Sequence, residues 1–525
     1  MHKNSMEGSG DAMATYLAGI DIGTSGAKGM VFDLQGNALG TGFREYPCTY
    51  PRPGWVEQDA DLLVQSTMQA MAEAVRASGV PPAAIASLSL SAQRCCGIFL
   101  DECERQVRPM ISWQDNRSPA EVKEIASRMD EAEYYRHTGY PNSTTWLLSK
   151  MMWVRGNEPE TWKKTRRVVQ MHDYFVRALG AEDYVVDFND AGFFGFFNST
   201  TGRWDEEILG LFEIPASMLP LPRASATPVA RISGAAAKRI GLAAGTPVSV
   251  GAGDQSAGAV GAGIVRKGLV SISMGTAGAV TAFLDAPFRD PAGRTMVTAH
   301  PIAGRWLLEG YQAAAASVYR WFKEQVGGLE TIEAEKKGES FYSLMNEKIA
   351  AIPAGSRGLL VLPYFAAAAT PRYNPSARGT ILGLTFSHDR FALARAFMEG
   401  ITLDMKDMVS SMVRSGVAVT EARVLGGPTR SRVWNQIQAD VYGVPVTTLK
   451  VTDATVLGAA ILGGVGAGVF PSIEAGASAM VRLDERFEPI PANVETYAKL
   501  YDAYCRTYEN LDRGGVFATL AGMQT

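Results

Sequence analysis

The chain reads as an α/β protein built from two copies of one mixed-sheet domain, with a cleft between them. Three observations carry that reading. LAGIDIGTSGAKGMVFD at 17–33 returns as LVSISMGTAGAVTAFLD at 269–285. Gly23, Thr24, Gly26, Ala27 and Asp33 match Gly275, Thr276, Gly278, Ala279 and Asp285 at one constant offset, the mark of a repeated unit. Around each hairpin, strand-like alternation and helix-like periodicity follow one another, as in layered α/β folds. Because each copy leads with a hairpin, the sheets are mixed rather than wholly parallel.

A length of 525 residues leaves room for two large domains, and a hydrophobic fraction of 46% supplies their cores. The net charge of −4 gives no basic footprint for nucleic acid or an anionic membrane. Along the chain, MHKNSMEGSGDAMAT lacks the apolar core of a signal peptide and reads as a disordered leader. A helix follows Asp59, and IASLSLSAQ alternates like a strand. Ser118-Pro119-Ala120-Glu121 has the form of a capping box with proline in the first turn. Residues 251–268 suit a hinge, while 330–340 and 485–495 are polar and read as loops or short linkers. Arg390–Arg414 is one long helix, and 424–446 runs strand, turn, helix, strand. Five cysteines without a CxxC argue against structural zinc and suit a reducing compartment. No run of about 20 apolar residues suggests a membrane span. The nearest, 246–284, is broken by Asp254, Arg266 and Lys267.

Gly-rich turns let backbone N–H groups approach an anion, and an adjacent Thr adds a hydroxyl. Gly23, Thr24 and Ser25 in one turn and Gly275 and Thr276 in the other are therefore candidate phosphate contacts. Either turn alone reads equally as a plain tight hairpin. Asp21 ends the first strand, where the second copy has Ser273. A carboxylate there repels phosphate unless Mg²⁺ bridges the two, which makes Asp21 the candidate metal residue.

In GAGDQSAGAVGAG (251–263), Asp254 follows an apolar strand and opens a helix of small residues. The position suits a helix cap. It equally suits a carboxylate facing a cleft, the group that accepts a hydroxyl's proton during phosphoryl transfer. In VLGGPTRSRVWNQIQAD (424–440), Gly426 and Gly427 permit close approach of a flat ring or ribose, and Pro428 stiffens the turn. VTDATVLGAAILGG (451–464) continues as a helix whose small-residue face suits the same site or another helix. SAQRCCG sets Gln93 and Arg94 beyond a strand, and SWQDNR sets Trp113, Gln114 and Asp115 in a short turn. Amides, carboxylates and guanidinium serve hydroxyls, and an aromatic face serves C–H groups. Cys95 and Cys96 read as small buried hydrophobes.

In this order the motifs resemble the FGGY carbohydrate kinases of the actin/hexokinase-like ATPase superfamily, from about Leu17 to about Phe470. DIGTSGAK and SMGTAG resemble the family's two phosphate hairpins, and PGWVEQD (53–59) the turn before its first long helix. GDQSAG resembles the segment holding its catalytic Asp, here Asp254. GGPTRSRVWNQIQAD resembles its adenosine-binding segment, with Gly426, Gly427, Arg430 and Asn435 as candidate contacts. GTILGLTFSHDRFALARAFMEG (379–400) resembles its C-terminal signature. Two positions depart: Pro428 stands where a third Gly is usual, and Ala392 where an acidic or amide residue is usual.

The resemblance implies two duplicated RNase H-like domains of the actin-like ATPase type. Residues 15–256 would hold the sugar and the first phosphate hairpin, 257–485 would hold ATP, and 486–525 would form a helical tail. It implies ATP and Mg²⁺, a small sugar or polyol bound by Gln93, Arg94, Trp113, Asp115, Asp254 and Gln255, and Asp254 as general base. It also implies a cytoplasmic enzyme, with homodimerisation left open. The halves would rotate about 251–268 to close over both ligands and exclude water. A ketopentose such as xylulose is the expected substrate. Gln93-Arg94, Trp113-Gln114-Asp115 and Asp254-Gln255 resemble glycerol kinases, but those place Glu where Cys95 stands and Tyr where Thr145 stands. A thiol is a weak partner for a hydroxyl, and smaller groups enlarge the pocket. PGWVEQD, DIGTSGAK and Arg430-Ser431 lean toward the pentulose kinases, although those commonly carry Met-His or Gln-His where Gln93-Arg94 stands. Glycerol or another polyol is the alternative. An actin-like ATPase would need the hairpins but neither the sugar patch nor Asp254, and a sugar-binding regulator would be expected to lack Asp21 or Asp254.

Overall fold

The computed structural model describes residues 15–290, 293 and 295–524. The leader expected before the first strand lies outside them, save Thr15. Strand β1 (Tyr16–Ile22) pairs antiparallel with β2 (Gly26–Phe32), and β3 (Ala38–Glu45) extends the sheet beyond β2. Helix α1 (Ala60–Ser78) starts on Asp59, whose carboxylate accepts from the Asp61 and Leu62 amides, and stops at Gly79 in the left-handed region. It packs on β2 and β3. β4 (Ile85–Ala92) returns parallel to β1. Helix α2 (Pro119–Arg128) begins where expected but has no capping box, because Ser118 Oγ donates to Ser149 Oγ at 3.0 Å instead. Proline, pre-set for the first helical position, marks the start without it. After α3 (Phe188–Gly192), β5 (Pro228–Arg231) and β6 (Pro247–Ser249) complete the order β5-β6-β4-β1-β2-β3. Helix α4 (Asp254–Gly261) then leaves the sheet.

The second half repeats the plan. β7 (Gly268–Met274) and β8 (Gly278–Leu284) form its hairpin, extended by β10 (Trp306–Gln312) and β9 (Met296–Ala299). α5 (Gly328–Lys337), α6 (Arg390–Arg414), β11 (Val419–Leu425), α7 (Arg432–Tyr442) and β12 (Val446–Leu449) follow. α8 (Ala454–Gly466), β13 (Leu483–Phe487) and α9 (Pro491–Arg513) close the chain's larger elements. The sheet runs β9-β10-β8-β7-β11-β12-β13. Its core, β10-β8-β7-β11-β12, has the same parallel and antiparallel senses as β3-β2-β1-β4-β6. The repeat seen in two hairpins thus extends to whole domains.

Two expected loops are regular structure. Residues 330–340 fall largely in α5, and 485–495 in β13 and the start of α9. α5 buries only Glu330 and Ala334, so its composition is that of a wet surface. α9 turns Tyr497, Tyr504 and Tyr508 inward, with Leu500, Tyr501, Cys505 and Leu511 partly buried beside them.

The boundary expected at 256/257 falls inside α4. α4 and α8 pack backbone to backbone: a Cβ on Gly261 would lie 1.8 Å from Ala454 O, and one on Gly458 1.9 Å from Ala257 O. α8 also covers β1 and β4, so the last long helix before β13 completes the first sheet rather than the second. Covered by α8 and α1, β1 buries Leu17, Ala18, Ile20 and Ile22 completely, which accounts for its nearly unbroken apolar run. The small-residue face of 451–464 serves this packing. Among the described residues no helix is long and apolar enough to cross a membrane.

Candidate active site

A cavity of about 970 Å³ lies between the halves. Thr24 reaches it from the first hairpin, and Ser273 and Ala277–Ala279 from the second. Gln93, Arg94, Trp113, Asp254 and Gln255 line it as well, so five of the six expected substrate residues come together.

Arg94 follows β4 and is fixed from several directions. Its Nε lies 2.9 Å from Asp254 Oδ1, and Nη1 donates to both carboxylate oxygens of Glu309 at 3.0 and 3.1 Å. The guanidinium stands 4.2 Å from the Phe193 ring centroid. Burial alone would lower its pKa, but the Glu309 and Asp254 carboxylates outweigh that and raise it. The next residue, Cys95, sits in the left-handed region at φ 62°, a strained conformation outside glycine. Two bonds hold it there, and a third joins its lysine partner to Ser112. Cys95 N–H donates to Gln170 Oε1 at 2.7 Å, and the fully buried Lys150 ammonium donates to Cys95 O at 3.0 Å and to Ser112 O at 2.8 Å. One lysine therefore ties the Arg94 turn to the Trp113 turn. Cys95 and Cys96 are buried as expected, and burial pushes the Cys96 thiol up to about 12, away from nucleophilic use.

Asp115 is the sixth expected residue, and the structure keeps it out of the cleft. It is fully buried, and its carboxylate accepts from Arg117 at 2.7 and 2.9 Å and from Val56 N–H at 2.6 Å. A carboxylate two residues from a buried arginine satisfies that cation before any ligand, because an unpaired buried charge is costly. Trp113, Gln114 and Asn116 of the same turn do face the cavity. The PGWVEQD segment supports this wall residue by residue. Trp55 lies 3.9 Å from the Arg117 guanidinium, Glu57 pairs with Arg117 and Arg108, and Gln58 Nε2 donates to Thr24 O at 2.8 Å. Gln93 Nε2 donates to Gln58 Oε1 and Trp113 Nε1 to Thr24 Oγ1, each at 2.9 Å. The first glycine turn and the Gln93–Trp113 wall are thus one hydrogen-bonded unit.

On the other side, Gly426 has φ 93°, and a Cβ there would lie 2.2 Å from Met274 O. Only glycine lets β11 end against the base of the second hairpin. Gly427 meets nothing where a Cβ would stand, and Arg430 is exposed. Asn435 is buried, and its Nδ2 donates to Thr429 O at 2.8 Å, so it shapes the glycine turn from behind.

Asp254 is the first residue of α4, and the N-cap position itself is Gly253. Oδ1 accepts the Gln255 N–H at 2.7 Å, and the carboxylate faces Arg94 and the cavity. Asp21 has a carboxyl raised to about 7, by burial first and then by the charge of Asp254, against a 2.9 Å hydrogen bond from Ser91. Lys28, its cross-strand partner, is drawn to Asp453 at 2.5 Å. A carboxyl held neutral beside other carboxylates gains from a divalent cation, and its oxygens are the hard donors Mg²⁺ takes, so Asp21 fits that ion.

Sequence reasoning missed Glu309, Gln170 and Tyr311. Glu309 is the one charged residue of strand WLLEGYQ, and an isolated carboxylate in a buried strand is a signal in itself. The other two depend on contacts far apart in the chain.

A duplicated α/β pair, with a glycine turn on each sheet and a fixed carboxylate between them, defines a two-lobed phosphotransferase. The chain belongs to the FGGY family of carbohydrate kinases: the family's N-terminal domain matches residues 16–261 and its C-terminal domain 270–467. It is 30% identical to a xylulose kinase of Lactococcus lactis subsp. lactis (strain IL1403), covering 94% of this chain and 97% of that one. It is 29% identical to a gluconokinase of Bacillus subtilis (strain 168), over 95% and 96% of the two chains. A glycerol kinase of Geobacter sp. (strain M21) is 31% identical, over 90% and 94%. Among solved structures, the xylulose kinase from Rhodospirillum rubrum superposes with a TM-score of 0.85 at 28% identity, covering 96% of this chain and all of that one. The protein is therefore an enzyme, a phosphotransferase that acts on sugar hydroxyls, and the family implies ATP as its donor.

Proposed function

We propose that the protein transfers the γ-phosphoryl group of ATP to a hydroxyl of a ketopentose such as xylulose, with Asp254 as general base. The observation that carries this reading is the Asp254 carboxylate, held 2.9 Å from Arg94 in a cavity that both glycine turns reach. Asp254 takes the proton of the attacking hydroxyl. The oxygen bonds to the γ-phosphorus as the bond to the β–γ bridging oxygen breaks, and ADP leaves with that oxygen. Backbone amides of the two turns cradle the phosphates, and Gly426, Gly427 and Arg430 receive the nucleoside. Asp21 would hold Mg²⁺, which when bound would supply charge neutralisation between phosphate and protein. Gln93, Arg94, Trp113 and Gln255 orient the sugar. The five free cysteines suit the cytoplasm.

Cys95 and Thr145 both line the cavity, so the two small groups that distinguish the chain from glycerol kinases stand where they bear on the ligand. Glycerol is the second reading, because a glycerol kinase is as similar in sequence as any relative named above. A coupled ADP-release assay over D-xylulose, D- and L-ribulose, erythritol, glycerol, gluconate and hexuloses tests both. A ketopentose is expected to give the highest kcat/KM. Glycerol ahead by tenfold or more overturns the choice.

A further inference from the structure

The charged side chains that line the cavity, among the described residues, are Arg94, Asp254 and Glu309. Glu309 enters from β10 of the second half with its side chain 3% exposed. Its carboxylate takes both Nη1 contacts of Arg94 and a hydroxyl bond from Thr298 at 2.6 Å. Thr298 stands on β9, and its hydroxyl is itself buried. Among the described residues one cation thus faces two anions, with Nε and Nη1 of its guanidinium already paired. Among those residues a substrate carboxylate would find no other cation and would meet Glu309 and Asp254 at close range, where like charges in a dry site repel strongly. Neutral hydroxyls meet amides instead: Gln93, Gln114, Asn116, Asn142 and Gln255.

We infer that Glu309 is a specificity-determining residue that bars sugar acids from this site by holding Arg94 neutralised. The inference rests on the kinase reading above. It also makes the Arg94–Glu309 contact a tie between the halves, since Arg94 follows β4 and Glu309 lies on β10. Specificity of this kind comes from a repulsive element as much as from attraction.

The test compares kcat/KM for the best neutral sugar and for D-gluconate in wild type, Glu309→Gln and Glu309→Asp, by ADP release. Wild type should use the neutral sugar and take gluconate poorly. Glu309→Gln keeps size and removes one negative charge, so the gluconate-to-neutral ratio should rise by roughly 10²-fold, the factor that several kcal/mol of like-charge repulsion commands. Glu309→Asp keeps the charge on a shorter arm, and its ratio should stay within about threefold of wild type. Equal gains in both variants would mean that a loosened cavity admits the acid, and the inference fails. It fails also if wild type uses gluconate as well as any neutral sugar, or if Glu309→Gln leaves the ratio unchanged. If wild type phosphorylates nothing in the panel, the kinase reading itself fails. Circular dichroism and the neutral-sugar rate show that each variant is folded.

Discussion

In the first hairpin Ile22 faces Ala27, and four residues make the turn; in the second Met274 faces Gly278, and three residues do. The matching residues keep one sequence offset, yet the pairing is slipped by one. Side chains alternate along a strand, so a slip changes what stands opposite what. Lys28 faces Asp21 in the first copy, but Ala279 faces Ser273 in the second. The first turn therefore carries a carboxylate and an ammonium on facing strands, and the second carries neither. Duplication supplied two backbone cradles, and divergence put the titratable chemistry in one of them. The second turn abuts Gly426 through Met274 O and gives the glycine turn after β11 its footing.

The sharpest way to break this asymmetry is at its centre. Asp254→Asn keeps shape and hydrogen bonding but removes the proton acceptor, and turnover should fall by about 10²–10⁴. Sugar affinity, read by fluorescence or calorimetry, should stay within about tenfold, because an amide still meets a hydroxyl. Turnover within threefold of wild type would reduce Asp254 to a helix residue.

The copies can then be compared directly. Asp21→Ala should lower turnover by about 10²-fold and weaken the apparent affinity for MgATP, with little change in sugar affinity. Ser273→Ala, the corresponding change in the second copy, should alter both constants by less than about threefold, since surface-type polar groups outside a charge cluster contribute little. Equal effects at the two positions would erase the distinction. Collapse of sugar affinity alone in Asp21→Ala would give Asp21 a different role.

A smaller effect is expected where the halves exchange helices. A Cβ on Gly458 would lie 1.9 Å from Ala257 O, so Gly458→Ala must push α8 from α4. Overpacking of this kind costs about 1–3 kcal/mol, measurable as a lowered denaturant midpoint. An unchanged midpoint would show that the helices slide freely, which a hinge near 251–268 would also require.

Local patterns were the legible ones. Arg390–Arg414 was bounded to the residue, because a charged start and a sustained apolar period need no distant partner. The glycine turns were legible because only glycine meets their backbone demands. Asp115 was misplaced because a turn shows which residues are polar but not which face the ligand. Arg117, two residues on, decided it together with Trp55, Val56 and Glu57 from a segment nearly sixty residues away. Glu309 stands out as the lone carboxylate of a buried strand, but its partner was not legible, because Arg94 lies 215 positions earlier. Ser118 had the right letters for a capping box and spent its hydroxyl on Ser149.

The smallest effect lies beneath Arg94 and uses acidity rather than geometry. Asp187 caps α3 by accepting from the Asn189 and Asp190 amides at 2.8 and 3.2 Å, while both carboxylate oxygens of Asp190 are buried without a hydrogen-bond partner among the described residues. Both carboxyls are fully buried, with His172 and Asp173 nearby. Burial first, and then the charges of Asp187 and Asp173, push Asp190 well above the usual carboxylate range, against the opposing pull of Arg94. The shift favours the protonated form of Asp190 in the folded chain. In the unfolded chain it loses that proton near pH 3.9. The folded state binds more protons above that pH, so this group's share of stability is complete below about pH 4 and falls as pH rises toward the folded pKa, at up to 1.4 kcal/mol per unit. Asp190→Asn supplies a permanent donor of the same shape and removes the linkage. Thermal unfolding should show the variant close to wild type near pH 4 and more stable by about 1–2 kcal/mol at pH 8. A loss of stability of equal size at both pH values would mean that Asp190 is ionised in the native protein, and that Arg94 answers three carboxylates rather than two.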